Sequence, residues 1–130
     1  MRAFLAFALL FGFAAVETVS GFVPGGATWQ LTELDGAPWT ARATLSFDAS
    51  GRVSGQAACN RFTGNQSAPY PWLEIGPLAS TRMACPELDA EATYLAALQE
   101  MTIVEVSGDV VILSNDDGRS MVFSRVAADG

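Results

Sequence analysis

The 130-residue chain contains no histidine and no lysine, so its seven basic residues are all arginines, set against 14 Asp and Glu residues. Without histidine the chain has no Ser-His-Asp triad, no histidine-activated thiolate and no His-ligated zinc site. Without lysine it has neither a Schiff-base amine nor a P-loop lysine. The formal net charge of -7 also disfavours nucleic acid and anionic membrane surfaces as partners. These absences exclude most familiar catalytic centres.

The N-terminal segment is strongly apolar after Arg2. Residues 3–16 form a run of 14 residues interrupted only by Gly12, which is typical of a secretory signal peptide. As a helix this run rises about 21 Å, less than the roughly 30 Å of a bilayer core, so an uncleaved anchor is the less favoured alternative. We expect a signal peptide over residues 1–20, cleaved near Ser20, then a flexible lead-in over residues 21–27. The mature protein is expected to be periplasmic or secreted, with no membrane span.

Alternation of apolar and polar residues predicts most of the β-structure. In residues 42–48, Ala43, Leu45 and Phe47 share one face, which is the pattern of a half-buried strand. Turn-forming residues follow, and a second strand completes a hairpin; later runs separated by Gly, Asp and Asn predict an antiparallel meander. The predicted strands cover residues 29–34, 42–48, 52–57, 73–83 (interrupted by Gly76-Pro77), 103–106, 110–113 and 119–125.

One segment has helical periodicity, over residues 86–101. Apolar side chains recur there at spacings of three and four residues, at Leu88, Ala92, Leu95, Leu98 and Met101. The acidic residues of the first turn, Glu87, Asp89 and Glu91, are interpreted as solvated groups that complement the helix dipole. An antiparallel sheet with a single helix and no βαβ alternation predicts an α+β domain.

Four short motifs carry a resemblance to a known family. They are WQL at residues 29–31, GQAACNRFTG at 55–64, LASTRMAC at 78–85 and GRSMVF at 118–123. Together with Glu91, Leu95 and Leu98, they resemble the META domain family, which includes the heat-shock protein HslJ. The resemblance covers residues 28–126 and leaves residues 127–130 as a tail. Ala58 and Gln66 depart from the family pattern, in which Gly and an aromatic residue are common.

The resemblance implies a fold, a compartment and a physiological setting. The implied fold is a curved, barrel-like antiparallel sheet packed on one main helix. The implied setting is the bacterial cell envelope and its tolerance of stress. No reaction is implied.

Cys59 and Cys85 lie in the two most specific motifs. In an exported chain they predict a structural disulfide, which closes a loop of about 26 residues and stabilises the fold by roughly 3.5 kcal/mol. A redox pair or a nucleophilic thiol is the alternative, but the spacing is unlike CxxC and no histidine is available as a base.

The predicted disulfide would gather polar residues into one patch, which is one candidate ligand-binding site. Its members are Asn60, Arg61, Thr81 and Arg82. In the competing interpretation, Asn60 and Thr81 bond to loop backbone, the arginines pair with surface carboxylates, and Met83 fills the core.

Aromatic residues flanked by proline form a second candidate site. Trp39, Tyr70 and Trp72 could present rigid apolar area to a ligand, or they could cap the open edge of a small core. Residues 115–118, Asn-Asp-Asp-Gly, could bind a cation through closely spaced carboxylates, but a hairpin turn explains them better. We predict no metal site and no cofactor.

These observations predict an exported, non-catalytic envelope domain, monomeric, that binds an envelope protein or an apolar ligand. One alternative is a small hydrolase that uses facing carboxylates and arginine in a cleft. Another is an inhibitor of a protease or hydrolase that inserts the loop of residues 60–69.

Overall fold

The computed structural model describes residues 17–127. Residues 1–16, which hold most of the predicted signal peptide, and residues 128–130 of the predicted tail lie outside the described part. The described chain forms nine strands, one α-helix and a short 3-10 helix at Val19–Gly21. The elements are β1 (Trp29–Leu34), β2 (Ala37–Pro38), β3 (Thr44–Phe47), β4 (Arg52–Gln56), β5 (Arg61–Asn65), β6 (Ala79–Ser80), α1 (Leu88–Glu100), β7 (Ile103–Ser107), β8 (Val110–Ser114) and β9 (Ser120–Arg125).

The strands form one curved antiparallel sheet that packs on α1. Its order is β6-β5-β4-β3-β1-β9-β8-β7, with β2 paired to β1. The first strand therefore joins the N-terminal hairpins to the C-terminal meander, pairing with β3 on one side and β9 on the other. The sheet is not closed by a continuous ladder. The predicted α+β class, with a curved sheet on one helix, is confirmed.

Strand pleating separates the core face from the solvent face. Cross-strand neighbours such as Val111 and Phe123, or Leu113 and Met121, face inward together and are fully buried. Their alternation with polar neighbours is the pattern expected of a sheet covered on one side. The largest buried side chains of this core are Trp29, Tyr94, Phe62, Phe123, Leu31, Leu45, Leu98 and Met101.

Helix α1 packs on the sheet with a face rotated from the one that the apolar pattern predicts. Glu91, Tyr94, Ala97 and Leu98 are its buried residues, whereas Leu88 is 42% exposed. The hydrogen bonds of two polar side chains set this rotation: Tyr94 donates its hydroxyl to the Thr44 carbonyl at 2.7 Å, and Glu91 bonds to the loop before β5. The interpretation of Glu91 as a solvated group was therefore wrong.

The connection from β5 to β6 makes backbone hydrogen bonds near both ends of the open sheet. On one side, Gly76 donates its backbone amide to the Asn65 carbonyl of β5. On the other side, Leu73 donates to the Thr102 carbonyl, and Val104 of β7 donates to the Pro71 carbonyl. The edge at β7 is thereby covered, and covered edges resist pairing with other chains. The predicted strand over residues 73–83 thus reduces to β6 and an isolated bridge at Ile75.

The segment that enters the domain also packs against it. Val19 is 1% exposed and belongs to the hydrophobic core. Phe22 stacks on Tyr70 with ring centroids 3.9 Å apart, and the Tyr70 amide donates to the Glu17 carbonyl. Residues of the predicted signal-peptide end and lead-in therefore contribute contacts to the folded domain.

Candidate functional site

A disulfide joins Cys59 to Cys85, with 5.9 Å between their Cα atoms. It ties the loop before β5 to the segment that leads into α1. Asn60, next to the bridge, is only 4% exposed. Its Nδ2 donates to the Met83 carbonyl at 3.0 Å, and its Oδ1 accepts from the Met83 amide at 2.6 Å. Both ends of this amide side chain thus hold loop backbone.

The carboxylate of Glu91 completes this network from the helix. It accepts hydrogen bonds from the backbone amides of Cys59 and Asn60 at 2.9 and 2.8 Å, and from Asn60 Nδ2 at 2.7 Å. Burial acts most strongly on the pKa of Glu91 and raises it, but the bonds from the Asn60 side chain and the two amides together outweigh burial and leave the pKa lowered. Glu91 is therefore held as a carboxylate that clamps the loop to α1.

The four residues of the predicted polar patch divide between two environments. Asn60 is buried in the clamp, and Thr81 donates its hydroxyl to Asn60 Oδ1 at 2.8 Å. Arg61 and Thr81 line a surface groove, whereas Arg82 is exposed and is not among the groove residues. Met83 is 63% exposed, so the expectation that it fills the core was wrong.

The groove has a volume of about 670 Å³ and lies on the solvent face of the sheet. That volume falls in the range of roughly 300–1,000 Å³ that is typical of small-molecule sites. Strands β3, β4, β5 and β6 provide most of its walls. The lining residues are Thr28, Thr44, Ser46, Ser54, Gly55, Gln56, Arg61, Phe62, Thr63, Ala79, Ser80 and Thr81.

Regular backbone pairing between β3 and β4 ends beside the groove. Backbone pairing between these strands covers Ser46 with Ser54 and Phe47 with Val53. Beyond it, the Gln56 amide donates to the side-chain Oγ1 of Thr44 at 2.9 Å instead of to a backbone carbonyl. Gly55 is required at this point, because β3 passes so close that a Cβ there would collide with the Thr44 carbonyl oxygen.

The polar groups of the groove form two rows across three strands. Strand pairing places Gln56 opposite Arg61, and Ser54 opposite both Ser46 and Thr63. Residues directly opposite on one face have Cβ atoms about 5 Å apart, and the two rows are separated by about 7 Å along the strands. The guanidinium of Arg61 takes part in no ion pair or side-chain hydrogen bond with residues 17–127. It is also the only charged side chain among the groove residues.

The proline-flanked aromatic residues differ in exposure and attach to different strands. Trp39 is half-buried against the core, and its amide donates to the Thr32 carbonyl of β1. Tyr70 packs on the core too, and its hydroxyl accepts from the Val106 amide of β7 at 3.0 Å. Trp72 is 56% exposed. Trp72 is thus the member of this set with most of its surface open to a partner.

The acidic segment at residues 115–118 is a tight turn. Asn115 Oδ1 accepts from the amides of Asp117 and Arg119 at 2.9 and 3.1 Å, and Gly118 has a positive φ of 84°. Within residues 17–127, no cluster of three or more metal-ligating side chains is arranged to hold an ion.

Sequence reasoning missed the hydroxyl-bearing residues of the groove and the role of Gln66. Ser46, Ser54 and Thr63 appear in the sequence only as the polar half of alternating strands, and no local signal shows that their strands come together in one groove. Gln66 is 3% exposed, and its Oε1 accepts from the amides of Ala68 and Glu74. It therefore shapes the connection between β5 and β6.

Residues 23–128 match the META domain family. The chain belongs to the META domain family. The resemblance carried by the four motifs is thereby confirmed. The META domain is a non-enzymatic domain family, and membership supports an envelope-associated domain of unknown function. A search of curated proteins finds no significant match.

Two solved structures share the fold of this META domain. An NMR structure of a protein from Burkholderia xenovorans is 26% identical, with a TM-score of 0.65, covering 88% of this chain and 93% of the other. The crystal structure of a DUF4847 family protein from Bacteroides vulgatus is 13% identical, with a TM-score of 0.64, covering 81% of this chain and 96% of the other. The second likeness concerns the fold alone.

Family membership and the intramolecular disulfide are consistent with an extracytoplasmic protein. Between residues 17 and 127, no helix combines the length and the apolar character needed to cross a bilayer.

Proposed function

We propose that this META domain is an exported, monomeric, non-catalytic binding protein of the cell envelope whose ligand occupies the groove over β3–β6. The observation that carries the proposal is the groove itself, with its unpaired guanidinium and its two rows of polar side chains. A contribution to envelope stress tolerance belongs to the same proposal, because the family resemblance implies it.

The groove exposes more apolar than polar surface, but its hydroxyl groups favour a ligand with hydrogen-bonding groups of its own over the apolar one expected from the sequence. Hydroxyl groups of Ser46, Ser54 and Thr63 lie on the groove face of the sheet and make no side-chain hydrogen bond within the described chain. Each hydroxyl can both donate and accept, and burying it under an apolar ligand would leave it without a partner, at a free-energy cost. A ligand with its own donors and acceptors avoids that cost.

Binding is favoured over catalysis because the groove residues include no group able to act as a general acid or base. Carboxylate chemistry requires two facing carboxyl groups, and the groove lining holds none. Glu91 is the buried carboxylate of the described chain, and its oxygens are engaged by the Cys59 and Asn60 donors. Groove serines have no adjacent base to activate them.

The inhibitor alternative receives less support from the fold. It requires residues 60–69 to protrude as an insertable loop. Arg61–Asn65 instead forms β5, an inner strand paired with both β4 and β6. Gln66 is buried beyond it. The segment is therefore held along the sheet rather than presented to an enzyme cleft.

Mapping of backbone amide chemical shifts by NMR tests the proposed site. The oxidised, exported protein would be titrated with a panel of sugars, amino acids, short peptides and nucleotides. We expect perturbations to concentrate on β3–β6, and to disappear in Ser54→Phe, which fills the groove. Ser107→Phe, the same change at the exposed end of β7, serves as the matched control and should retain them.

Perturbations centred on Trp72 and unaffected by Ser54→Phe would move the site to the β7 edge and overturn the proposal. Turnover of any panel member would overturn its non-catalytic part. Retained amide dispersion in both phenylalanine variants shows that a loss of binding is not a loss of fold.

A further inference from the structure

The groove has a charge opposite to that of the protein around it. The whole chain carries a net charge of -7, yet the groove is lined by one guanidinium and no carboxylate. A cationic ligand would find its counter-charges elsewhere on the surface and would be repelled by Arg61. An anionic group that enters the groove meets Arg61 as its single charged partner, and a carboxylate matches the planar fork of a guanidinium in a bidentate pair.

The remaining polar groups specify what the rest of that ligand carries. Next to Arg61 stands the Gln56 amide, and the second row presents Ser46, Ser54 and Thr63. A hydroxyl or a primary amide can both donate and accept hydrogen bonds. Each is therefore best matched by a neutral ligand group that can also donate and accept. Sugar hydroxyls have this property. The row spacing of about 7 Å suits a ring that sets a carboxylate at one end and hydroxyls at the other.

We infer that the groove binds an acidic saccharide, with a uronate carboxylate on Arg61 and ring hydroxyls on the rows of β3, β4 and β5. This inference rests on the proposed function, since it names the ligand class for the same groove. A single charged contact sets the orientation of the sugar, and the hydroxyl rows discriminate saccharides from other carboxylates. The groove volume of about 670 Å³ accommodates a short oligosaccharide rather than a single ion.

Calorimetric titration with trigalacturonate, its methyl ester and maltotriose tests the inference on the oxidised protein. The ester removes the charge and keeps the hydroxyls, and maltotriose is neutral throughout. We expect trigalacturonate to bind, and esterification or Arg61→Gln to weaken binding about tenfold or more, as expected for loss of a charge-assisted pair. Arg42→Gln removes the same charge from an exposed site outside the groove and should leave affinity unchanged.

Each contrary result identifies which step fails. Equal affinity for trigalacturonate and its methyl ester would overturn the uronate assignment. If Ser54→Phe then abolished the binding of both ligands, the groove would still be the binding site. Trigalacturonate binding that survives Ser54→Phe would overturn the groove as well. If a glutamate-rich peptide bound through Arg61 and trigalacturonate did not, the assigned ligand would be a peptide and not a saccharide. If Arg42→Gln weakened trigalacturonate binding as much as Arg61→Gln, the effect would come from the net charge of the protein and not from a contact with Arg61.

Discussion

Replacing Glu91 by Gln should destabilise the domain strongly, although Glu91 lies on a surface helix. The variant keeps the shape of the side chain but removes the charge and turns one acceptor into a donor. Three hydrogen bonds end on the carboxylate, from the Cys59 amide, the Asn60 amide and Asn60 Nδ2. Bonds to charged groups contribute about 1.5–3 kcal/mol each and neutral ones about 0.5–1.5 kcal/mol.

The expected loss follows from this difference. The hydrogen bonds from the two backbone amides weaken to neutral ones. Asn60 Nδ2, which lies 2.7 Å from the carboxylate in the wild type, is left facing a donor. The free energy of unfolding at pH 7 should fall by about 3 kcal/mol, which lowers the melting temperature of a domain of this size by about 12 °C. Guanidinium denaturation followed by tryptophan fluorescence measures the change directly.

The pH dependence provides a second, sharper test. Hydrogen bonds from Asn60 and Cys59 outweigh the opposing effect of burial and hold the pKa of Glu91 below its ordinary value of 4.5. A lowered folded-state pKa stabilises the fold fully above the unfolded-state value, and the contribution is lost as pH falls through the folded-state pKa. The gap between wild type and Glu91→Gln should therefore be complete at pH 7 and narrow below about pH 4.5.

Asp89→Asn, an exposed change on the same turn of α1, is the matched control and should shift stability by less than about 0.5 kcal/mol. A Glu91→Gln effect as small as that of the control would refute the clamp. An effect that stays constant between pH 3 and pH 7 would show that the charge of Glu91 contributes nothing to it.

Three further predictions concern other contacts. Deleting residues 17–20 should cost about 1.5–3 kcal/mol, because Val19 is 1% exposed; denaturation of matched N-terminal truncations measures it. Reduction of the Cys59–Cys85 disulfide should cost roughly 3.5 kcal/mol, seen as a lower guanidinium midpoint with reductant. Tyr94→Phe should cost about 1 kcal/mol, and because burial raises the pKa of Tyr94 well above normal, that phenol should stay un-ionised in alkaline absorbance titration until unfolding.

Each of these has a result that contradicts it. Truncations beginning at residues 17 and 21 with equal stability would show that Val19 contributes nothing to the core. A midpoint unchanged by reductant, with both thiols then alkylated, would remove the stabilising role of the disulfide. For Tyr94, ionisation in the folded protein near pH 10 would show that its hydroxyl is not buried against the Thr44 carbonyl.

Local periodicity predicted those elements whose two faces differ clearly in polarity. Strand β1 was predicted with its observed bounds, and the hairpin of β3 and β4 and the meander of β7, β8 and β9 were predicted within two residues. Strand β5 was not predicted, because Gly64 occupies one of its inward positions and only Phe62 gives an apolar signal. A Cβ at Gly64 would lie 2.7 Å from Leu78 Cδ2, so the Leu78 side chain would have to shift.

The sequence by itself determined the α+β class, the family and the cysteine pair, because residue periodicity and short motifs are readable without knowing which segments meet. Tertiary structure decided the buried face of α1, since apolar spacing favoured Leu88 whereas the hydrogen bonds of Glu91 and Tyr94 require partners from distant segments. It also decided the groove. Ser54 and Arg61 become parts of one site only because β3, β4 and β5 pair side by side, and strand pairing depends on long-range contacts that no local pattern encodes.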